Sequence, residues 1–233
     1  MQKLLLSMML SSAMLSAPRP ASAQQPSDNR PGFAVFPFVN GGSYGKNKED
    51  LSMMERGLQS QLAYELEQNP TLRMVDRTRL QEYLAEQDLA SRGRVDPETA
   101  ARVGRAVGAR YVVTGGFVNN DGQLQITARI VDVETTEVLR SAQVEGNFDR
   151  LFRLVGTLAA QVTANVKLPP LPTPVREAQL KKEVPTEALK RFGQILAVND
   201  RGEHARALEL YNLLVKEFPQ LEERRGELRQ VRG

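Results

Sequence analysis

Lys46 stands behind a glycine-rich turn in the stretch FAVFPFVNGGSYGK, residues 33–46. An apolar run that leads through glycines to a lysine is the outline of a phosphate cradle. The spacing fails the test. Such a loop needs four residues between its first glycine and a Gly-Lys pair, then Ser or Thr for magnesium. Here Gly41 and Gly45 enclose three residues and Asn47 follows Lys46. The amide groups must converge on one anion, so the stretch reads as a plain strand-to-helix loop.

The glycines of GRAVGARYVVTGG, residues 104–116, follow a helical pattern and then lie within a strand. A dinucleotide fingerprint opens a helix instead. His204 is the only histidine and sits beside Glu203 in a charged turn, where a solvated surface is its ordinary role; a metal site needs several convergent donors. Without cysteine, and with no histidine before residue 204, no Cys–His or Ser–His pair can be built in the main domain. Carboxylates remain: Asp132, Glu134 and Glu137 around one turn, and Asp76, Glu82, Glu86 and Asp88 on helical faces. A pair such as Glu134–Glu137 could serve a hydrolase, but charged residues at turns are usually surface groups. The reading is therefore no catalytic residue, no metal ligand and no cofactor.

The elements that position these residues follow from periodicity. FAVFPFV is nearly all apolar, as in a strand covered on both faces. Leu51, Met54, Leu58, Leu62 and Leu66 recur at three and four residues, predicting an amphipathic helix that ends before Pro70. TLRMVD reads as a short strand and RTRLQEYLAEQDL as a helix. Asp96, Pro97 and Gly108 supply the cap, first turn and stop of the next helix. RYVVTGGFV, QLQITARI and EVLRSAQVEG make a meander, with a turn at Asn120-Asp121-Gly122. Its alternation changes phase at Ile130–Val131, which predicts a bulge. Asn147 caps a last helix carrying Phe148, Leu151, Phe152, Val155, Leu158 and Val162. The fold class is α/β, a mixed sheet flanked by helices, followed by a small all-α hairpin.

Residues 1–23 carry a basic start at Lys3, an apolar segment and Ala21-Ser22-Ala23. That is a signal peptide cleaved after Ala23, and it predicts export to the periplasm. Residues 24–31 form a flexible lead-in and 32–167 the α/β domain. Residues 168–184, with four prolines in LPPLPTP, form a stiff linker, and 185–233 the helical tail. Of a net charge of +3, Lys3 and Arg19 supply two units, so the remainder gives no nucleic-acid footprint. With no cysteine there is neither a disulfide nor a lipid-accepting thiol.

Several segments resemble the CsgG/TolB-N-terminal-like family of bacterial envelope proteins, which takes in FlgO-like and LpoB-like proteins. They are FAVFPFVN, LQSQLAYEL, LRMVDRTRLQEYLAEQDL, AARVGRAVGARYVVTGGF, LQITARIVDVETTEVLRSAQVEG and LFRLVGTLAAQV, together spanning about residues 32–167. The resemblance implies no catalysis and work through protein contacts, often in outer-membrane assemblies. Three features depart from the pattern: the lipidated cysteine is missing, Arg110 replaces an acid, and Thr135-Thr136 replaces Thr-Gly, removing the residue that suits a positive φ. Arg129, Asp132 and Arg140 interrupt any continuous apolar face on the meander, so no membrane-spanning pore is expected.

The tail resembles one tetratricopeptide unit: Ala207, Tyr211, Leu214, Pro219 and Gly202 fall in place, while Gly193 lies about two positions early. One helix pair cannot bury both its faces. Ala188, Leu189 and the candidate partner-binding residues Phe192, Ile195, Leu196, Tyr211 and Leu214 must therefore cover the main domain, a second copy or a partner. The leading reading is a non-catalytic exported envelope protein, a scaffold for protein contacts. It would have peripheral outer-membrane association at most, other envelope proteins or its own copies as partners, and no small-molecule substrate. The alternatives are a subunit of a curli-type secretion assembly and a carboxylate-dependent hydrolase.

Overall fold

The computed structural model describes residues 28–46, 48–87, 95–181 and 183–228, with the side chains of 179–182 excepted. The expected signal peptide (residues 1–23), Asn47 and Asp88 lie outside the described residues. Six strands form one mixed sheet: β1 (Gly32–Val35), β2 (Val39–Tyr44), β3 (Arg73–Met74), β4 (Tyr111–Asn120), β5 (Gln123–Asp132) and β6 (Val138–Asn147). The order is β3-β1-β4-β5-β6, and β2 also pairs with β4. The chain belongs to the α/β class. The apolar run at 33–39 is not one strand. It leaves the sheet at Phe36-Pro37-Phe38, where Pro37 has no N–H to give, and rejoins it at Val39.

The glycine-rich stretch corrects the sequence reading. Expected as a loop, it is strand β2, which runs parallel to β4 from Val39↔Gly116 to Tyr44↔Asn120. A register shift between Asn40 and Ser43 coincides with Gly42 at φ 111°. β4 is ten residues long and β1 pairs with only its first three, Tyr111 to Val113. β2 satisfies the backbone groups that the rest of that edge would leave open.

The other local signals appear where periodicity puts them. Asp96 accepts a hydrogen bond from Thr99 N at the start of α3 (Pro97–Val107), and Gly108 ends it at φ 76°. Asp76 does the same through Arg79 N for α2 (Arg77–Glu86). Asp121 and Gly122 both have positive φ in the tight β4–β5 turn. The β5–β6 ladder shifts register between Ile130 and Val131. Thr136 takes φ 65° in the β5–β6 turn, the conformation that favours glycine.

Helices α1 (Met54–Glu67) and α4 (Leu151–Asn165) cover one face of the sheet through Leu58, Leu62, Phe117, Ile126, Val155 and Leu158. On the other face α2 and α3 cover only β1 and the adjoining ends of β4 and β5, through Ala34, Val112 and Val131. Beyond them no helix among the described residues covers that face.

The tail helices α6 (Thr186–Asp200) and α7 (His204–Glu217) share the core of α1 and α4. Residues 173–181, expected as extended linker, form helix α5 (Thr173–Lys181). Prolines are tolerated in a first helical turn, and the Pro172 carbonyl accepts from Val175 N and Arg176 N. Asn69 Nδ2 holds the preceding turn through the Pro169 carbonyl at 2.9 Å. A 3₁₀ segment (Pro219–Glu227) closes the described chain.

Candidate interaction surface

Strand β6 is an edge of the sheet among the described residues. Antiparallel pairs alternate between those that exchange hydrogen bonds and those that do not. Phe148 N donates to the Gly122 carbonyl at 2.8 Å, and the register runs Leu124↔Gly146, Ile126↔Val144, Ala128↔Ala142. These even-numbered β6 residues face β5, so the backbone groups of Ser141, Gln143 and Glu145 point away from the sheet. The side chains of Ala142 and Val144 are buried toward α4, while those of Ser141, Gln143 and Glu145 are exposed on the open face.

One outward amide is already engaged. Gln143 N donates to Gln161 Oε1 of α4 at 3.2 Å. The Gln161 amide thus sits where the carbonyl of an incoming strand would sit. At the start of the same edge Val138 and Leu139 are 42% and 37% exposed, an apolar step beside the unpaired backbone. Lining the open face next to β6 are Thr114, Thr127, Arg129 and Gln125, around a depression of about 280 Å³.

The five tail residues singled out from the sequence occupy a different place. Phe192, Ile195, Leu196, Tyr211 and Leu214 are all buried. Of the three covers the sequence leaves open, they meet the main domain, because α6 lies on α1. The helices touch closely at Gly57 and Gly193: a β-carbon on Gly57 would lie 2.9 Å from the Leu189 carbonyl oxygen. The phenol of Tyr211 reaches the carbonyls of Leu221 and Glu222 at 2.7 and 2.9 Å, and burial pushes its pKa up to about 12. The apolar residues that the tail does expose are Leu210 and Leu213 on the outer side of α7. The sequence hides this distinction, because apolar residues line both sides of α7.

Two buried polar clasps, absent from the sequence reading, hold the tail. Asp200 at the end of α6 accepts from Arg77 Nη1 and Nη2 at 3.1 and 2.8 Å, and from Arg56 Nε at 2.8 Å. In the closing 3₁₀ segment, buried Arg224 donates to Gln61 Oε1 at 3.0 Å and to Ser60 Oγ. It also binds Glu227 and lies over the Tyr64 and Phe192 rings at 4.8 and 5.2 Å. Nothing in the local sequence marks these residues, since their partners on α1 and α2 are more than 100 positions away.

The candidate chemical groups hold turns together. Buried Asp132 accepts from Glu134 N and Thr135 N at 2.8 and 3.2 Å, and from Arg110 Nη2 at 2.8 Å. Arg110 also pairs with exposed Glu134. The arginine that departs from the family pattern therefore braces the β5–β6 turn. Glu137 is exposed beyond it. The Lys46 backbone amide donates to Asp121 Oδ1, tying β2 to the β4–β5 turn, and His204 Nδ1 lies 3.0 Å from Asn199 Oδ1 across the tail turn. Among the described residues no group of three or more His, Cys, Asp or Glu converges as a metal site would require. No helix among them is long and apolar enough to cross a membrane.

Comparison with known proteins adds a family. Residues 15–125, just under half of the chain, match the family described as the curli production assembly/transport component CsgG. No curated protein matches the sequence. Among solved structures, the LpoB C-terminal domain from Salmonella enterica is 18% identical, with 50% of this chain and 82% of that chain covered and a TM-score of 0.39. The PelC dodecamer from Paraburkholderia phytofirmans is 17% identical, covering 60% and 89%, with a TM-score of 0.37. Lipoprotein GNA1162 from Neisseria meningitidis is 17% identical, covering 57% and 96%, with a TM-score of 0.39. Over residues 15–125 the chain is thus similar to the CsgG family.

Proposed function

We propose that this protein is an exported, non-catalytic envelope protein that works as an interaction and assembly module, accepting an extended segment of a partner along β6. The observation that carries the reading is the alternation on that edge. Ser141, Gln143 and Glu145 present their backbone groups outward over a ten-residue strand, beside exposed Val138 and Leu139. An unpaired edge is a template for another strand, with main-chain hydrogen bonds giving affinity and alternate side chains giving specificity. The engagement of Asp132, Glu134 and Arg110 in bracing a turn supports a role without catalysis. Partners are other envelope proteins or further copies of the chain, met in the periplasm or at the outer membrane.

The test uses proline. Ser141→Pro and Glu145→Pro each remove an outward N–H and leave the bonds to β5 intact, since an edge strand tolerates proline on its free side. Both variants should keep the wild-type melting temperature to within a few degrees and lose the partner recovered by crosslinking in the native envelope. Retention of the same partner by both folded variants would refute strand addition.

The family description favours a second reading, a subunit of an outer-membrane curli-type secretion assembly. It requires ring-shaped oligomers that fractionate with membranes. A monomer extracted by salt alone would count against it.

A further inference from the structure

Away from β6, a cavity of about 260 Å³ lies between α1, α4 and the Pro170-Leu171 turn. Its walls are apolar at Leu66, Phe152, Ala160 and Leu171, and a single carboxyl group, that of Glu65, reaches into it from α1. Glu65 is 3% exposed. Its Oε1 accepts from Gln61 Nε2 at 2.9 Å, and Gln61 in turn accepts from Arg224. Oε2 is turned toward Gly156 across the cavity.

Gly156 points to an occupant independently. It lies inside α4, where glycine costs about 1 kcal/mol relative to alanine. Its φ is not positive, and a β-carbon there would meet only Glu65 Oε2, at 3.8 Å. Gly57 and Gly193 are required by helix contact. Gly156 is not required by any contact, and what its missing side chain leaves is open space in front of the carboxylate.

Arg153 and Arg176, both exposed, also line the cavity. Arg153 pairs with Glu183 at 3.3 Å, and Arg176 has no acidic partner among the described residues. Negative charge inside, an apolar wall and positive charge outside together describe a ligand of the opposite polarity. We propose that this cavity binds a short aliphatic amino acid, its ammonium on Glu65, its chain against Leu66, Phe152 and Leu171, and its carboxylate toward Arg176.

Burial raises the Glu65 pKa to about 7, against the weaker pull of Gln61 and Arg224. The ammonium needs the ionised carboxylate, so affinity should rise as pH rises through that value.

Full-length protein titrated with 5-aminopentanoate, followed by the amide resonances of Glu65 and Gly156, tests the proposal. Saturable shifts are expected, with pentylammonium and pentanoate, each carrying one charge, binding more weakly. Glu65→Gln should weaken aminopentanoate at least about tenfold, the scale of a lost charged hydrogen bond. Gly156→Leu should abolish binding by filling the space; should that variant not fold, Glu65→Gln alone decides. Unchanged affinity in Glu65→Gln, pentanoate binding as well as the amino acid, or no saturable shift up to roughly 10 mM, the limit of a useful interaction, would overturn the proposal.

Discussion

Gly57 of α1 and Gly193 of α6 face each other where the tail crosses the main domain, and a β-carbon on Gly193 would run into the Met53 carbonyl oxygen. The close approach at this crossing is what requires a glycine at position 193. Backbone obstruction differs from a flexible side chain, because Met53 is held by the start of α1 and cannot swing away.

The first prediction sets two opposing terms against each other. Alanine is the better helix former by about 1 kcal/mol, but overpacking against fixed backbone costs about 1–3 kcal/mol. Gly193→Ala should therefore destabilise the protein by up to about 2 kcal/mol net, whereas Gly156→Ala, facing open space, should stabilise it by about 1 kcal/mol. Urea unfolding of both variants checks the signs.

Asp200→Ala leaves Arg77, itself buried with Nε unpartnered, without its counter-charge. Removing one partner of a buried pair typically costs about 3–5 kcal/mol. The loss should appear as a lower urea midpoint and as faster proteolysis.

Glu65 gives the stability a pH dependence of known sign. Its pKa is raised from 4.5 to about 7 in the folded protein. Between these values the folded chain holds a proton that the unfolded chain has released. The associated stability is fully present below about 4.5 and is lost as pH rises through about 7. The span corresponds to about 3 kcal/mol. Glu65→Gln should flatten that part of the stability profile in urea titrations at successive pH values.

Thr136→Gly should stabilise the β5–β6 turn. A β-branched residue at φ 65° carries strain of about 1–3 kcal/mol, partly offset by the greater freedom of glycine in the unfolded chain. A net gain of about 1 kcal/mol in thermal unfolding is expected, with no change in partner recovery.

Much of the fold is legible in the sequence because its signals are local. Asp96, Pro97 and Gly108 act within one helix, Asp121-Gly122 within one turn, and the Ile130–Val131 bulge within one ladder. The misread glycine stretch shows the limit. Whether Val39–Tyr44 is loop or strand depends on β4, more than 70 residues later, having an open edge to pair with. The candidate surface follows the same rule. The five tail residues are legible as apolar, but which side of α6 and α7 meets α1 is decided by Gly57, Gly193 and the Asp200 and Arg224 clasps. The Glu65 cavity draws its walls from α1, α4 and the turn before α5, and no single stretch records it.

Amide hydrogen exchange on the full-length protein, alone and in its native complex, tests strand addition at β6 most directly. In the free protein Ser141 and Glu145 should exchange quickly, while Ala142 and Val144, bonded to β5, stay protected; in the complex Ser141 and Glu145 should become protected as well. If those two amides exchange at the same rate in both states, and protection develops around Leu210 and Leu213 instead, partners engage the outer face of the tail and the role assigned to β6 is wrong.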